Sequence, residues 1–528
     1  MENTVRDFVI RALGGASNAS AVADICAKMV ATVSEGNVCL EIDDDADIAK
    51  LRAVPEIVSI APDDSKPFVL CGSRFYTRRN WRYECIARKK IRELTAVGGG
   101  AGAVEIPPEL EYTPMPGQRE AVIVMNSSNY SILTGGPGTG KTFTITWAVK
   151  VALAKNPNLR IALAAPTGKA SGRMTESFIG FKVRGEELKA TTLHTLLKPN
   201  ADLTTFKHNH ANPLDIDWLI VDEASMIDLP MMTKLIDALP TGCRLTLVGD
   251  EHQLASVERG RVFADLCHAP WMQDKIARLE VSKRFVAGGD IDKFAHAVND
   301  GDSGKALEIL NEGGDTVIYR HLAEHGMTNP NTWADFHGLI TESLQKFSAA
   351  KTPEEALRHL NDFRVLCAER HGPFGVNRVN EYMIRELAGS ANHPRCPIPM
   401  MITKNDHSLG LANGDVGVQM PGDASNVCLL VNQDEKAGTI EYRKVRLELL
   451  DNVEPSFAMT IHKSQGSEFR DVAIVLPPDA ESKLLTREIL YTGITRTKNR
   501  VYIFGSDKAV EKACKNKVER TTGLSEVT

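Results

Sequence analysis

The sequence predicts an α/β protein with two parallel-sheet domains, preceded by a small helical domain and interrupted late by a small β-barrel insertion. Three observations lead there. Short apolar runs at Ser131–Thr134, Ile161–Ala165, Trp218–Val221 and Leu245–Val248 alternate with helical patterns, and each ends in a polar motif. That alternation is the mark of parallel strands joined by crossover helices, with ligands bound off the carboxyl ends of the strands. A second set follows at Val472–Leu476 and Val501–Phe504. Finally, 528 residues exceed what one core holds, so several domains are expected.

Residues 1 to 105 read as the amino-terminal helical domain with its linker. It finishes in a basic, aromatic segment from Arg74 to Arg92 that includes Arg78, Arg79, Trp81, Arg82 and Tyr83. Such a segment suits nucleic acid or a protein partner, and equally a helix whose Trp81 and Tyr83 pack inward while the cationic heads are solvated. Gly98-Gly99-Gly100-Ala101-Gly102 marks a linker by composition. The first sheet domain is expected over 106–275 and the second over 276–528. Between about 397 and 455, turns at Asn413-Gly414-Asp415 and Pro421-Gly422-Asp423 indicate the β-barrel insertion.

Composition narrows the classes. The chain is 43% apolar and 25% charged, and contains no run of 18 apolar residues and no signal segment, so neither membrane insertion nor secretion is expected. The ten cysteines fall in no metal-ligand spacing and read as reduced thiols of a cytoplasmic protein. With a formal charge of −6, contact with nucleic acid must come from a local groove rather than bulk charge. Asp43-Asp44-Asp45 lacks the pattern of a calcium loop, and His208 with His210 lacks further ligands, so both read as solvated turns.

The segment Gly135-Gly136-Pro137-Gly138-Thr139-Gly140-Lys141-Thr142 follows a buried strand and opens a helix. Glycines let backbone N–H groups approach phosphate oxygens, Lys141 reaches the β/γ-phosphates, and the Thr142 hydroxyl ligates Mg²⁺. The expected cofactors are therefore ATP and Mg²⁺. Asp222 and Glu223 end the strand Leu219-Ile220-Val221; Asp222 suits the metal shell and Glu223 the attacking water. Gln253, in Gly249-Asp250-Glu251-His252-Gln253-Leu254-Ala255-Ser256-Val257, is placed to sense the γ-phosphate. Thr167 and Lys169, and later His194, stand at strand ends or helix starts with groups suited to backbone phosphates. Arg284 and Arg496 are expected across the cleft from the P-loop, where a guanidinium can contribute ~10³–10⁵ in rate.

These motifs, in this order, resemble superfamily-one helicases, and more narrowly the RecD family, the alpha subunits of exonuclease V. The resemblance is carried by Gly249-Asp250-x-x-Gln253-Leu254-Ala255-Ser256-Val257, by Phe363-Arg364-Val365-Leu366-Cys367-Ala368 with Gly372-Pro373-Phe374-Gly375-Val376-Asn377, by Ile402-Thr403-Lys404-Asn405-Asp406 with Leu411-x-Asn413-Gly414-Asp415-x-Gly417, and by Thr460-Ile461-His462-Lys463-Ser464-Gln465-Gly466-Ser467-Glu468-Phe469. It covers most of residues 106–510, and Asn37–Leu40 with Trp81–Glu84 extend it into the amino-terminal domain.

The resemblance implies two RecA-like domains, an SH3-like insertion, and ATP-driven 5′-to-3′ translocation on single-stranded DNA as it unwinds duplex. It implies Gln118 as adenine reader, Glu468 at the nucleotide, and strand contacts at Thr167, Lys169, His194, Asn413, Thr460 and His462. It implies docking of the amino-terminal domain on larger RecB- and RecC-like subunits, with nuclease chemistry left to another subunit. Gly493 departs from the Ala of many relatives, which is expected to loosen its helix modestly. A stand-alone helicase or RNA translocase, and a scaffold with a vestigial ATPase, remain the alternatives at this stage.

Overall fold

The computed structural model describes residues 2–14, 18–60, 65–96, 104–110, 112–200, 205–255, 260–285, 288–321, 330–406, 408–434, 439–477 and 482–524. The linker glycines at 98–102 and motif residues Ser256 and Val257 lie outside them. Among the described residues, the first sheet is six-stranded and parallel. Its order is Ile276–Leu279, Tyr130–Gly135, Arg244–Gly249, Trp218–Val221, Ile161–Ala165, Ala190–Thr192. The strand carrying the P-loop is second in this order and flanked on both sides, so the loops that follow it and its neighbours open on one edge. Polar side chains inside this sheet satisfy one another: Ser131 and Thr246 hydroxyls are 2.8 Å apart, and the Trp218 indole N–H donates to Thr246 at 3.0 Å.

The expected boundary at 275/276 moves. Ile276–Leu279 pairs with Tyr130–Gly135, so the first lobe runs at least to Leu279. The second sheet is also parallel, in the order Val317–His321, Thr497–Gly505, Phe469–Val475, Phe363–Cys367, Ala458–Thr460.

Two further expectations need correction. The amino-terminal domain is not purely helical. Its helices Ala19–Ser34 and Arg78–Ala96 accompany a four-stranded mixed sheet, Leu40–Glu41, Arg74–Thr77, Phe68–Cys71, Val58–Ile60. The insertion is β-rich as expected, with strands from Ile398–Ile402 to Val453–Pro455 in one antiparallel sheet. Among the described residues its outer strands, Thr439–Arg446 and Val453–Pro455, share no ladder, so it is an open sheet rather than a hydrogen-bonded barrel.

Helix Arg78–Ala96 decides between the two readings of the basic segment. Trp81, Ala87, Ile91 and Leu94 are buried in one core with Leu229, Met232 and Ile236 of the first lobe, and Trp81 meets Tyr76 edge to face at 5.3 Å. Arg78, Arg79, Arg82, Lys89 and Arg92 remain on the exposed face. The carboxyl-terminal segment ties the parts together: the Val38 N–H donates to Thr521 O at 3.0 Å, Thr522 Oγ1 donates to Asp265 at 2.7 Å, and the Val518 N–H donates to Glu488 at 3.1 Å.

Helix Arg487–Ile494 packs Gly493 against the second sheet. A Cβ there would sit 2.8 Å from Ile474 Cδ1 and 3.4 Å from Ile461 Cδ1, so Ile474 already fills the space an alanine would need. Gly493→Ala gains about 1 kcal/mol of helix propensity but must overpack at a cost of about 1–3 kcal/mol. We expect Gly493→Ala to lower the melting temperature and Ile474→Val in that background to raise it again; a further fall in the double variant would contradict this packing.

Candidate functional site: an interlobe phosphate cleft

The carboxyl edge of the first sheet faces the amino ends of strands Phe469–Val475 and Thr497–Gly505 across a cleft of about 430 Å³, lined among others by Gly138, Lys141, Asp222, Gln253, Glu468 and Arg496. The P-loop is held open for phosphate by its own covalent geometry. Gly138 has φ +77°, and a Cβ there would lie 2.4 Å from Arg284 Cβ and 2.8 Å from Ser282 Oγ. Gly140, at φ +85°, precedes helix Lys141–Lys155. Thr139 Oγ1 donates to Gly136 O at 2.9 Å and staples the turn, while Lys141 Nζ donates to Gly135 O at 2.7 Å and Gly136 O at 3.0 Å. Gly135, Gly136 and Thr139 face the opposite side of the loop, toward a second cavity.

Asp222 ends its strand with the N–H on Ala164 O at 2.9 Å, and its Oδ1 accepts the Glu223 N–H at 2.8 Å. Burial, then the neighbouring Glu223 charge, push the Asp222 carboxyl up to about 6. Glu223 sits at φ +51°, a left-handed conformation unusual outside glycine and one that aims its carboxylate into the cleft. Gln253 Nε2 donates to Asp250 Oδ2 at 3.0 Å, whereas its buried Oε1 has no partner among the described residues. That orphaned acceptor is positioned for the proton of a water.

Phosphate and a hard divalent cation fit this set. Thr142 and Asp222 offer oxygen donors of the kind Mg²⁺ takes, and they line the same cleft as Gly138 and Gly140 of the loop. Lys141 and the helix start add positive charge.

Arg496 is buried beneath the cleft. Its Nε donates to Thr492 O at 3.1 Å and its Nη1 to Ser467 O at 3.3 Å, and burial lowers the pKa of its guanidinium. Arg284 departs from expectation. It does not come from the opposite lobe: Ser282 Oγ donates to Pro137 O at 2.7 Å and the Lys283 N–H to Gly138 O at 2.9 Å, which seats the segment on the P-loop itself. From there Arg284 reaches across, donating to Thr495 O at 3.1 Å and pairing with Glu468. Burial opposes ionisation of Glu468, but Arg173 and Arg284 hold its carboxyl down to about 2. The lobes also meet directly, with the Leu254 N–H on Thr492 Oγ1 and Gln465 Nε2 on Leu254 O, both at 3.0 Å.

Family models agree with this division: an AAA domain matches residues 118–259 and a UvrD-like helicase C-terminal domain residues 455–504. The chain is 37% identical over 503 residues to the RecBCD enzyme subunit RecD of Mycolicibacterium smegmatis, covering 91% of this chain and 86% of that protein. This chain belongs to the RecD family. It is also 34% identical to the RecD subunit of Haemophilus influenzae, over 78% of this chain and 72% of that one. The ATP-dependent RecD2 DNA helicase of Deinococcus radiodurans is 28% identical, over 89% of this chain and 61% of that protein. A solved Pif1 helicase at forked DNA aligns over 74% of this chain and 92% of that chain, at 15% identity and a TM-score of 0.42.

In this RecD-family chain two residues are placed differently from what the resemblance implied. Gln118 is buried behind the P-loop, where Oε1 accepts the Met115 N–H at 3.0 Å and Nε2 donates to Thr139 O at 3.3 Å. Both ends of its amide brace the loop, and it is not among the cleft-lining residues. Lys169 turns into the lobe interface, with Nζ on Ser467 Oγ at 2.7 Å; burial lowers its pKa to about 8. Of the other strand-contact candidates, Thr167, His194 and Asn413 are brought near one another. Ala165 pairs with Thr192, which sets Thr167 and His194 at neighbouring strand ends; Thr167 also caps its helix through Ala170 N–H at 3.2 Å. Gly168 lies against Ala412, which brings Asn413 close by, and Thr460 and His462 end the strand Ala458–Thr460. Burial lowers the pKa of both His194 and His462.

Two residues escaped the sequence reading, Tyr491 beside the second cavity and Arg173 in the cleft. Tyr491 donates to Asp250 Oδ2 at 3.3 Å and reaches the P-loop at Gly136. Arg173 lines the cleft and pairs with Glu468 at 2.6 Å; its i,i+4 spacing from Lys169, which puts both on one helix face, was the available signal.

Adding one methyl at Gly138 should be disproportionately costly. Gly138→Ala must adopt a left-handed φ and displace the backbone before Arg284, so we expect nucleotide affinity to fall by ~10² or more, read by a fluorescent ADP analogue. Affinity within twofold of the parent chain would contradict the packing of Arg284 on the loop.

Proposed function

We propose that this chain is the ATP-driven DNA helicase subunit of a RecBCD-type enzyme acting in double-strand-break repair, and that it moves 5′-to-3′ along single-stranded DNA. One observation carries the reading: Lys141, Asp222, Glu223 and Gln253 of one lobe and Arg496 and Glu468 of the other line the same cleft. Phosphoryl transfer to water requires a phosphate cradle, a group that orients water, and positive charge for the leaving phosphate, and these residues supply each. The names of the relatives, RecBCD subunits and an ATP-dependent DNA helicase, support the substrate class.

On this reading Glu223 takes the proton of the attacking water while Gln253 Oε1 accepts its second hydrogen bond. Lys141 holds the β- and γ-phosphates, and Arg284 and Arg496 offset the charge that develops on them. A Mg²⁺ held by Thr142 and Asp222 would neutralise the phosphate oxygens. Because catalytic groups come from both lobes, hydrolysis requires closure and product release allows opening. A strand lying over Thr167 and His194 on one lobe, and over Thr460, His462 and the insertion at Asn413 on the other, is then gripped alternately.

Polarity follows from the family resemblance. Larger RecB- and RecC-like subunits are the partners, docked through the amino-terminal domain. The site of action is the cytoplasm; among the described residues no helix is long and apolar enough to cross a membrane.

Steady-state ATPase with and without oligo(dT), together with copurification of two larger subunits, tests this directly. The expected result is turnover that rises sharply with DNA and falls by ~10² or more in Lys141→Ala. Turnover indifferent to DNA would remove the motor reading, and an active chain that never copurifies with larger subunits would move it to a stand-alone helicase.

A further inference from the structure

Helix Gly168–Ser177 of the first lobe is fastened to one tripeptide of the second, Gly466-Ser467-Glu468. Lys169 Nζ donates to Ser467 Oγ at 2.7 Å, Arg173 Nη1 donates to Gly466 O at 3.0 Å, and Arg173 Nη2 pairs with Glu468 Oε1 at 2.6 Å. From the other side the same tripeptide receives Arg496 Nη1 on Ser467 O at 3.3 Å and Arg284 Nη2 on Glu468 Oε1. Lys498 approaches Glu468 Oε2 at 3.5 Å. A single carboxylate oxygen is therefore shared between Arg173 and Arg284, which come from different elements of the first lobe.

That sharing has an electrostatic consequence. Glu468 divides one negative charge among three cations, so how firmly it neutralises Arg284 depends on how firmly Arg173 draws it away. Arg284 is the residue seated on the P-loop, and its remaining contact here, Thr495 O at 3.1 Å, is a neutral carbonyl. The helix that bears Arg173 begins at Thr167, beside the strand end that carries His194. A rigid ten-residue helix thus has the DNA-facing cap at one end and the triphosphate cleft one to two turns along.

We propose that Arg173 is a positioning residue that transmits engagement of single-stranded DNA at Thr167 to the triphosphate cleft, by setting how much of the Glu468 charge is left on Arg284. The inference rests on the motor reading above and adds to it the route by which DNA stimulates hydrolysis. Arginine is needed for it: its planar fork bonds Gly466 O and Glu468 at once, which a lysine ammonium at the end of a flexible stem does not reproduce.

The test is a cycle of Arg173→Ala, Arg173→Lys, Glu468→Gln and Arg173→Ala/Glu468→Gln in the full chain. Each variant is measured for ATPase kcat and KM with and without oligo(dT), and for affinity to a fluorescein-labelled oligo(dT). For Arg173→Ala the DNA-stimulated kcat is expected to fall about tenfold or more while oligo(dT) affinity stays within about twofold, with Arg173→Lys recovering little of the loss. The double variant is expected to be no worse than the poorer single one, because both substitutions cut the same link.

Stimulated turnover of Arg173→Ala within about twofold of the parent, a matching loss of DNA affinity, or multiplicative losses in the double variant would overturn the inference. If Arg173→Ala does not fold, the Arg173→Lys and Glu468→Gln arms decide it by the same criteria. Absence of DNA stimulation in the parent chain is a different result, and defeats the motor reading instead.

Discussion

Glu468 is where the two lobes compete for one negative charge, and the arrangement of the cleft depends on that competition. A carboxylate approached by Arg173, Arg284 and Lys498 cannot satisfy all of them equally, so one negative charge is divided among three cations beside the P-loop. Burial would ordinarily favour the protonated acid, yet the cations hold it ionised throughout the physiological range. An isolated surface pair would contribute little, but here the partners come from separate lobes and are half-enclosed, so the pairs bear on lobe geometry rather than on bulk stability.

The fold supplies the stiffness this needs. Parallel strands buried on both faces, with Ser131, Thr246 and Trp218 satisfying one another inside the first sheet, fix where the P-loop and Asp222 emerge. At that edge the backbone turns left-handed at Glu223 and at Gly138 and Gly140 of the loop. Contacts such as Leu254 to Thr492 and Gln465 to Leu254 run between lobes through single hydrogen bonds, each worth about 1 kcal/mol net, which suits an interface that must part and rejoin.

Much of this was legible in the sequence because the central strands are continuous apolar runs that stop at glycine or acidic motifs. Tyr130–Gly135, Ile161–Ala165, Trp218–Val221 and Arg244–Gly249 all stand where periodicity put them. Ile276–Leu279 did not announce itself, being four residues long and edged by charged Lys275 and Glu280, so the domain boundary slipped. The amino-terminal sheet was hidden for a similar reason. Phe68–Cys71 and Arg74–Thr77 are short and sit between helical stretches, although Gly72 at φ +60°, in the two-residue turn between them, was a hairpin signal. Lys169, Arg173 and Gln118 show a different limit. Residue type indicated a polar site at Lys169, the resemblance supplied Gln118 and Arg173 escaped the reading; which surface such a side chain faces is set by tertiary contacts, as in the Lys169 to Ser467 bond.

The central claim is that the triphosphate is bound by one lobe and its transition-state charge is offset by an arginine from the other. Single-turnover ATP hydrolysis by Arg496→Ala, measured beside its nucleotide affinity, tests it most directly. The account requires hydrolysis to fall by ~10³ while affinity changes only a few-fold, because Arg496 acts on charge that develops during the reaction. Hydrolysis within a few-fold of the parent chain would contradict it.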